Sequence, residues 1–159
     1  MRLDRRRFLG AMGVSSYAAA RCVPPPDTVP IRSDDERVRH ARFMRLAVAE
    51  ARKNERYPFG AVIVSAGRVL GRGVNAVGLN PSAHGEMVAM DDYVRRVGNH
   101  GWADTTLYTT AEPCPMCMSA CAWAGVGRIV WGTSIEELRR TGLHQIVISA
   151  SEVALAAES

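Results

Sequence analysis

The sequence predicts an α/β protein built as a three-layer α/β/α sandwich around a five-stranded mixed sheet. The chain has 159 residues, enough for one domain of about 100–200 residues and too few for several. Helix-like and strand-like segments alternate in the order α-β-β-α-β-α-β-α-β-α, which places helices on both faces of a sheet. Phe59 to Val64 is a nearly continuous apolar run, as expected of a strand buried on both faces.

Each element has its own signal. Ser33 to Glu36 offer N-cap groups and acidic first-turn residues for a first helix to about Asn54, with Phe43, Leu46 and Ala47 as its apolar stripe. Pro58 ends that region and the buried strand follows. Ala66-Gly67 then turns the chain into an antiparallel partner over Val69–Asn75. Asn80-Pro81-Ser82 marks a loop before a second helix, Gly85–Val97, that Gly98-Asn99 stops. The β-branched stretch Thr105–Thr110 reads as a strand. Pro115 suits the first turn of a third helix ended by Gly125 and Gly127. Arg128–Gly132 is a strand, Ile135–Arg140 a short helix, Gln145–Ile148 a fifth strand and Ser151–Ala157 a terminal helix.

Apolar residues at 47% and charged residues at 23% exclude a disordered or low-complexity chain. No uncharged apolar run reaches the roughly 18 residues of a membrane span. The formal charge is +4, which raises the question of a nucleic-acid partner. Residues 1–20 hold Arg2, Arg5, Arg6, Arg7 and Asp4, leaving 16 basic and 15 acidic side chains, a net +1, in the rest. A nearly neutral body favours a small-molecule substrate over a polyanion.

Arg5-Arg6-Arg7-Phe8-Leu9, the apolar Ala11–Ala20 and the small Ala18-Ala19-Ala20 triplet follow the order of an export signal and resemble a twin-arginine leader. Residues 1–20 are therefore expected to direct export to the periplasm, the alternative being an uncleaved basic tail on a cytoplasmic protein, with a Pro-rich linker over 21–32 and one folded domain over 33–159.

Chemistry concentrates at His84-Gly85-Glu86 and Pro113-Cys114-Pro115-Met116-Cys117. Of the four cysteines, three lie between 114 and 121, a spacing that fits a metal or reactive thiols better than a disulfide framework. Cys114 and Cys117 stand three apart at a helix start, so their sulfurs share one face, where the helix dipole favours thiolate. His84 completes a His-Cys-Cys set for Zn2+, and three ligands on a tetrahedral ion leave a position for water. Glu86, two residues past His84, is placed to carry protons between that water and a leaving amine.

His-x-Glu followed by Pro-Cys-x-x-Cys is the signature of zinc deaminases. From about Asp34 to Val153 the chain resembles the cytidine deaminase superfamily, in the branch that includes bacterial guanine deaminases and tRNA adenosine deaminases. That resemblance implies a zinc-dependent deaminase domain over 33–159, with zinc on His84, Cys114 and Cys117, proton transfer by Glu86, base recognition by Asn75 and a pocket wall at Phe59. It implies hydrolytic deamination of a free nucleobase or nucleoside, with a nucleic-acid substrate or a non-catalytic zinc domain as alternatives, and a homodimer. Asn75 also suits a turn after Gly73. Cys121 is expected in the core, and Phe59 and Trp123 are anchors for either core or pocket. His40, His100 and His144 lack a motif and are expected at the surface or satisfied by neighbours. Glu112 is expected to cap the third helix or brace a backbone amide.

Overall fold

A computed structural model describes residues 34–157. The predicted leader, 1–20, and linker, 21–32, lie outside the described residues. The first helix, α1 (Asp34–Ala51), is followed by β1 (Gly60–Ser65), β2 (Arg68–Val74), α2 (Gly85–Val97), β3 (Thr106–Ala111), α3 (Pro115–Ala124), β4 (Arg128–Thr133), α4 (Ile135–Arg140) and α5 (Ala150–Ala157). The sheet order is β2-β1-β3-β4, with β1 antiparallel to both neighbours and β4 parallel to β3.

Period-two alternation divides β1 between two cores. Val62 and Val64 pack with Tyr108 beneath Phe43 and Ala47 of α1. Ala61 and Ile63 point the other way and pack with Leu107, with Ala89 and Tyr93 of α2 and with Cys121 of α3. Helices on both faces make the three expected layers. β1 is buried at every position from Gly60 to Val64, which is why its sequence lacks a polar face.

The descent of α2 onto β2 requires glycine. A Cβ on Gly73 would lie 2.0 Å from the Gly85 carbonyl oxygen and 2.4 Å from the Ala89 nitrogen. This contact fixes the start of α2, and so His84, against the end of β2. The hairpin between β1 and β2 turns at Ala66 and Gly67, with φ of 48° and 75°, the left-handed pair that matches strand twist.

The fifth strand is a correction: among the described residues the sheet has four strands. Gln145–Ile148 is irregular, and Ile146, Val147 and Ile148 are 63%, 58% and 43% exposed. Their β-branched composition suits a strand, but that preference is realised only by pairing and burial at a sheet edge. After α4 an irregular stretch leads to α5, whose first amide donates to Glu112 just past β3 and which packs on α3.

Candidate active site

Two helix starts meet at the end of β3. His84 is the N-cap of α2 and Cys114 the N-cap of α3, both with extended backbone, and Pro115 occupies the first turn of α3. The positive ends of two helix dipoles thus converge on one point and favour negative charge there. Cys117, one turn along α3, is fully buried.

The Cys114 sulfur lies 3.6 Å from Nδ1 of His84 and 3.7 Å from the sulfur of Cys117. Ligand atoms of all three residues fall within 4.8 Å of one another. Zinc bonds of about 2.3 Å to sulfur and 2.0–2.1 Å to nitrogen, at tetrahedral angles, require separations of roughly 3.8 Å between sulfurs and 3.5 Å between sulfur and nitrogen. The observed spacing fits that ion, and the donor set of two thiols and an imidazole suits it chemically. The cluster therefore suggests zinc.

Electrostatics agree with the geometry. The hydrogen bond between the Cys114 and Cys117 sulfurs holds the Cys114 thiol down at about 4. Cys117 is pushed up by that bond and by burial, so the pair keeps one proton where a cation would replace it. The Cys114 sulfur in turn raises His84. Cys121 belongs to the core, with its sulfur 4.0 Å from that of Met90. Burial raises the Cys121 thiol to about 12, and it is outside the ligand cluster.

Glu86, 6% exposed, accepts a 3.0 Å hydrogen bond at Oε1 from the Thr109 hydroxyl. Burial raises its carboxyl above the ordinary glutamate range, opposed by bonds from its own backbone amide and from Thr109. A carboxyl so placed can exchange protons at higher pH than one in water.

Of these residues His84, Glu86 and Cys114 line a cavity of about 190 Å3, together with Asn75, Phe59 and others. The volume is below the roughly 300 Å3 of sites for drug-sized ligands and suits a single heterocycle. Asn75 is buried, and its Oδ1 accepts from the Val77 amide at 3.1 Å. Its Nδ2 has no hydrogen-bond partner among the described residues and remains available as a donor. Asn54 donates to the Asn75 carbonyl at 2.8 Å while its Oδ1 accepts from the amides of Arg56 and Tyr57. Asn75 is therefore a turn residue and a cavity residue together.

The structure adds residues that motif reading passed over. Leu138, Leu143, His144 and Gln145 also line the cavity, so His144 is a wall residue as well as a surface one. Trp123, expected in core or pocket, is in neither and is 92% exposed. His40 is satisfied as expected, with Nδ1 2.9 Å from the Tyr108 hydroxyl and Glu36 nearby. His100 is exposed. Glu112 braces the amides of Ile135 and Ala150 and does not cap α3. A second cavity, about 320 Å3, shares Phe59 and Leu138 with the first and includes Arg52.

The model of the cytidine and deoxycytidylate deaminase zinc-binding region matches residues 37–133. The chain is 42% identical over 95 residues to a chloroplastic tRNA(adenine(34)) deaminase of Arabidopsis thaliana, across 57% of this chain but only 7% of that protein. It is 39% identical over 111 residues to a tRNA-specific adenosine deaminase of Streptococcus pyogenes, across 66% of this chain and 70% of that protein. The crystal structure of guanine deaminase from Bacillus subtilis superposes with a TM-score of 0.61 at 33% identity, covering 65% of this chain and 69% of that one. A structure of a tRNA:A34 deaminase superposes at 0.56 with 29% identity, covering 69% and 92%. The family match ends at Thr133, before the segment 138–145 that contributes to the cavity wall.

Proposed function

The chain belongs to the cytidine and deoxycytidylate deaminase zinc-binding family, and from that premise we propose that it hydrolytically deaminates a free nucleobase or nucleoside of guanine, cytosine or adenine type. The observation that carries this reading is the His84, Cys114 and Cys117 cluster with Glu86 buried beside it, at a small cavity lined by His84, Cys114 and Glu86.

His84, Cys114 and Cys117 would hold the zinc. When bound, zinc supplies the Lewis acidity that makes water a nucleophile near neutral pH. Glu86 accepts a proton from the attacking water and delivers one to the departing amine. A carbon-oxygen bond forms, a carbon-nitrogen bond breaks, and the products are the oxo base and ammonia. Thr109 holds Oε1 of Glu86, while Asn75 Nδ2 offers a donor to the ring edge and Phe59 an apolar wall. Incubating zinc-loaded protein with guanine, cytosine, adenine and their nucleosides should release ammonia from at least one. No release from any of these would overturn the reading.

A nucleic-acid substrate is the second reading, favoured by basic residues from the middle of α1 into the loop after it, although α1 itself sets four arginines against Asp34, Asp35, Glu36 and Glu50. Residues 37–56 hold Arg37, Arg39, Arg42, Arg45, Arg52, Lys53 and Arg56 against Glu50 and Glu55. The near-neutral total conceals this concentration, and Arg52 reaches the cavity beside the site. Ammonia from short RNA or DNA alone would favour it. The exposed Trp123, with Met116 37% exposed on the same helix, supports a homodimer through α3, which sedimentation of the parent and Trp123→Asp would test. Export by the twin-arginine route is likewise a proposal, resting on the leader's residues.

A further inference from the structure

The carboxylate of Glu112, 8% exposed, accepts two buried hydrogen bonds from the starts of different helices. Oε2 takes the Ile135 amide of α4 at 2.9 Å, and Oε1 takes the Ala150 amide of α5 at 2.8 Å. The Glu112 amide itself donates to the Thr133 carbonyl at 2.7 Å, which ties it to the end of the sheet.

Each helix start already has its own cap. Ser134 and Glu137 form a reciprocal capping box on α4, and Ser149 and Glu152 exchange the equivalent bonds on α5. Glu112 accepts from the next donor in each helix, so capping does not explain why one buried carboxylate is shared by both. What the two bonds enclose is the segment 135–150, which carries Leu138, Leu143, His144 and Gln145 over the cavity. Thr141, Gly142 and Leu143 bond only back to α4, and residues 144–148 make no hydrogen bond among the described residues. The position of this cover therefore depends on its two ends, and the Glu112 carboxylate bonds to both.

We propose that Glu112 is a positioning residue for substrate affinity: its carboxylate latches both ends of the cover and sets how closely 138–145 closes over the bound base. Only a carboxylate offers acceptors to both amides, because a glutamine in its place would turn an NH2 toward one of them. Release of one bond lets the cover rise while Ile135 stays buried and α5 stays packed on α3, so the effect falls on binding and leaves the metal cluster in place.

The test uses the zinc-loaded full chain and two variants that cut the latch from opposite sides. Glu112→Gln removes one acceptor. Ala150→Pro removes one donor at a first helical position, where proline is tolerated. Hydrogen exchange of amides in 141–149 should quicken about tenfold in both, while 85–97 and 106–111 stay at parent rates. The KM half of the test rests on the deamination reading: KM for whichever base or nucleoside the parent turns over should rise about fivefold or more, with kcat within about twofold. Unchanged exchange in both variants, or a fall in kcat at constant KM, would overturn the latch. If Glu112→Gln does not fold, Ala150→Pro decides. If the parent releases no ammonia, the deamination reading fails alone and exchange still decides the latch.

Discussion

The hydroxyl of Thr109 on β3 donates a 3.0 Å hydrogen bond to Oε1 of Glu86 on α2, fixing a buried carboxylate beside the two thiols and the imidazole. Both partners are almost sealed from water, with Thr109 1% and Glu86 6% exposed. A hydrogen bond to a charged group in such a place is worth about 1.5–3 kcal/mol, and leaving the carboxylate without it costs desolvation energy that nothing replaces.

Thr109→Val should therefore keep zinc and fold but lower kcat about tenfold or more, since the proton carrier loses its orientation. Thr109→Ser, which retains the hydroxyl, should recover most of the rate. Glu86→Gln should bind zinc normally and show almost no turnover, because an amide cannot relay the proton. Steady-state ammonia release with parallel metal analysis checks all three, and a normal rate for Glu86→Gln would remove it from the mechanism.

One zinc per chain is expected in protein purified without chelator, because the cluster supplies three ligands of the right softness and spacing. Cys117→Ser should lose the metal, whereas Cys121→Ser should keep it, since Cys121 lies in the core and outside the cluster. Emission spectrometry on the purified variants distinguishes them.

Asn75 separates into two roles by its two side-chain atoms. Asn75→Asp keeps the acceptor for the Val77 amide and removes the Nδ2 donor, so kcat/KM should fall roughly 5- to 150-fold with little change in thermal midpoint. Asn75→Ala removes both and should also cost about 1 kcal/mol of stability. If the aspartate variant has parent kcat/KM, Asn75 serves only the turn.

Gly73→Ala should be among the most damaging changes in the chain. Its methyl group would meet backbone of α2 at 2.0 Å, so the helix carrying His84 at its N-cap must move. We expect a loss of about 3 kcal/mol or more together with weakened zinc binding. Gly67→Ala, at φ 75° with open space around it, should cost about 1 kcal/mol and leave zinc content unchanged. Thermal melts with metal analysis read both effects.

The leader proposal predicts that replacing Arg5, Arg6 and Arg7 together by lysine strands the protein in the cytoplasm. Fractionation that matches the parent would rule out twin-arginine export.

What the residues alone determined is local. Cys114 and Cys117 share a face because three residues span nearly one helical turn, and Pro115 marks that turn as a helix start whatever lies around it. The burial of β1 on both faces is written in its uninterrupted apolar run, and so is the split of its side chains between two cores. Tertiary structure decided what depends on partners far away in the chain. Thr109 reaches Glu86 across β3 and α2, and Glu112 reaches Ile135 and Ala150 only because three elements end at one place. His144 carries no motif and becomes a cavity wall through the path of the segment before α5. The same path explains why Gln145–Ile148 forms no strand: Ile146-Val147-Ile148 has the composition to pair, but pairing needs a sheet edge within reach, and Gln145 lines the cavity instead.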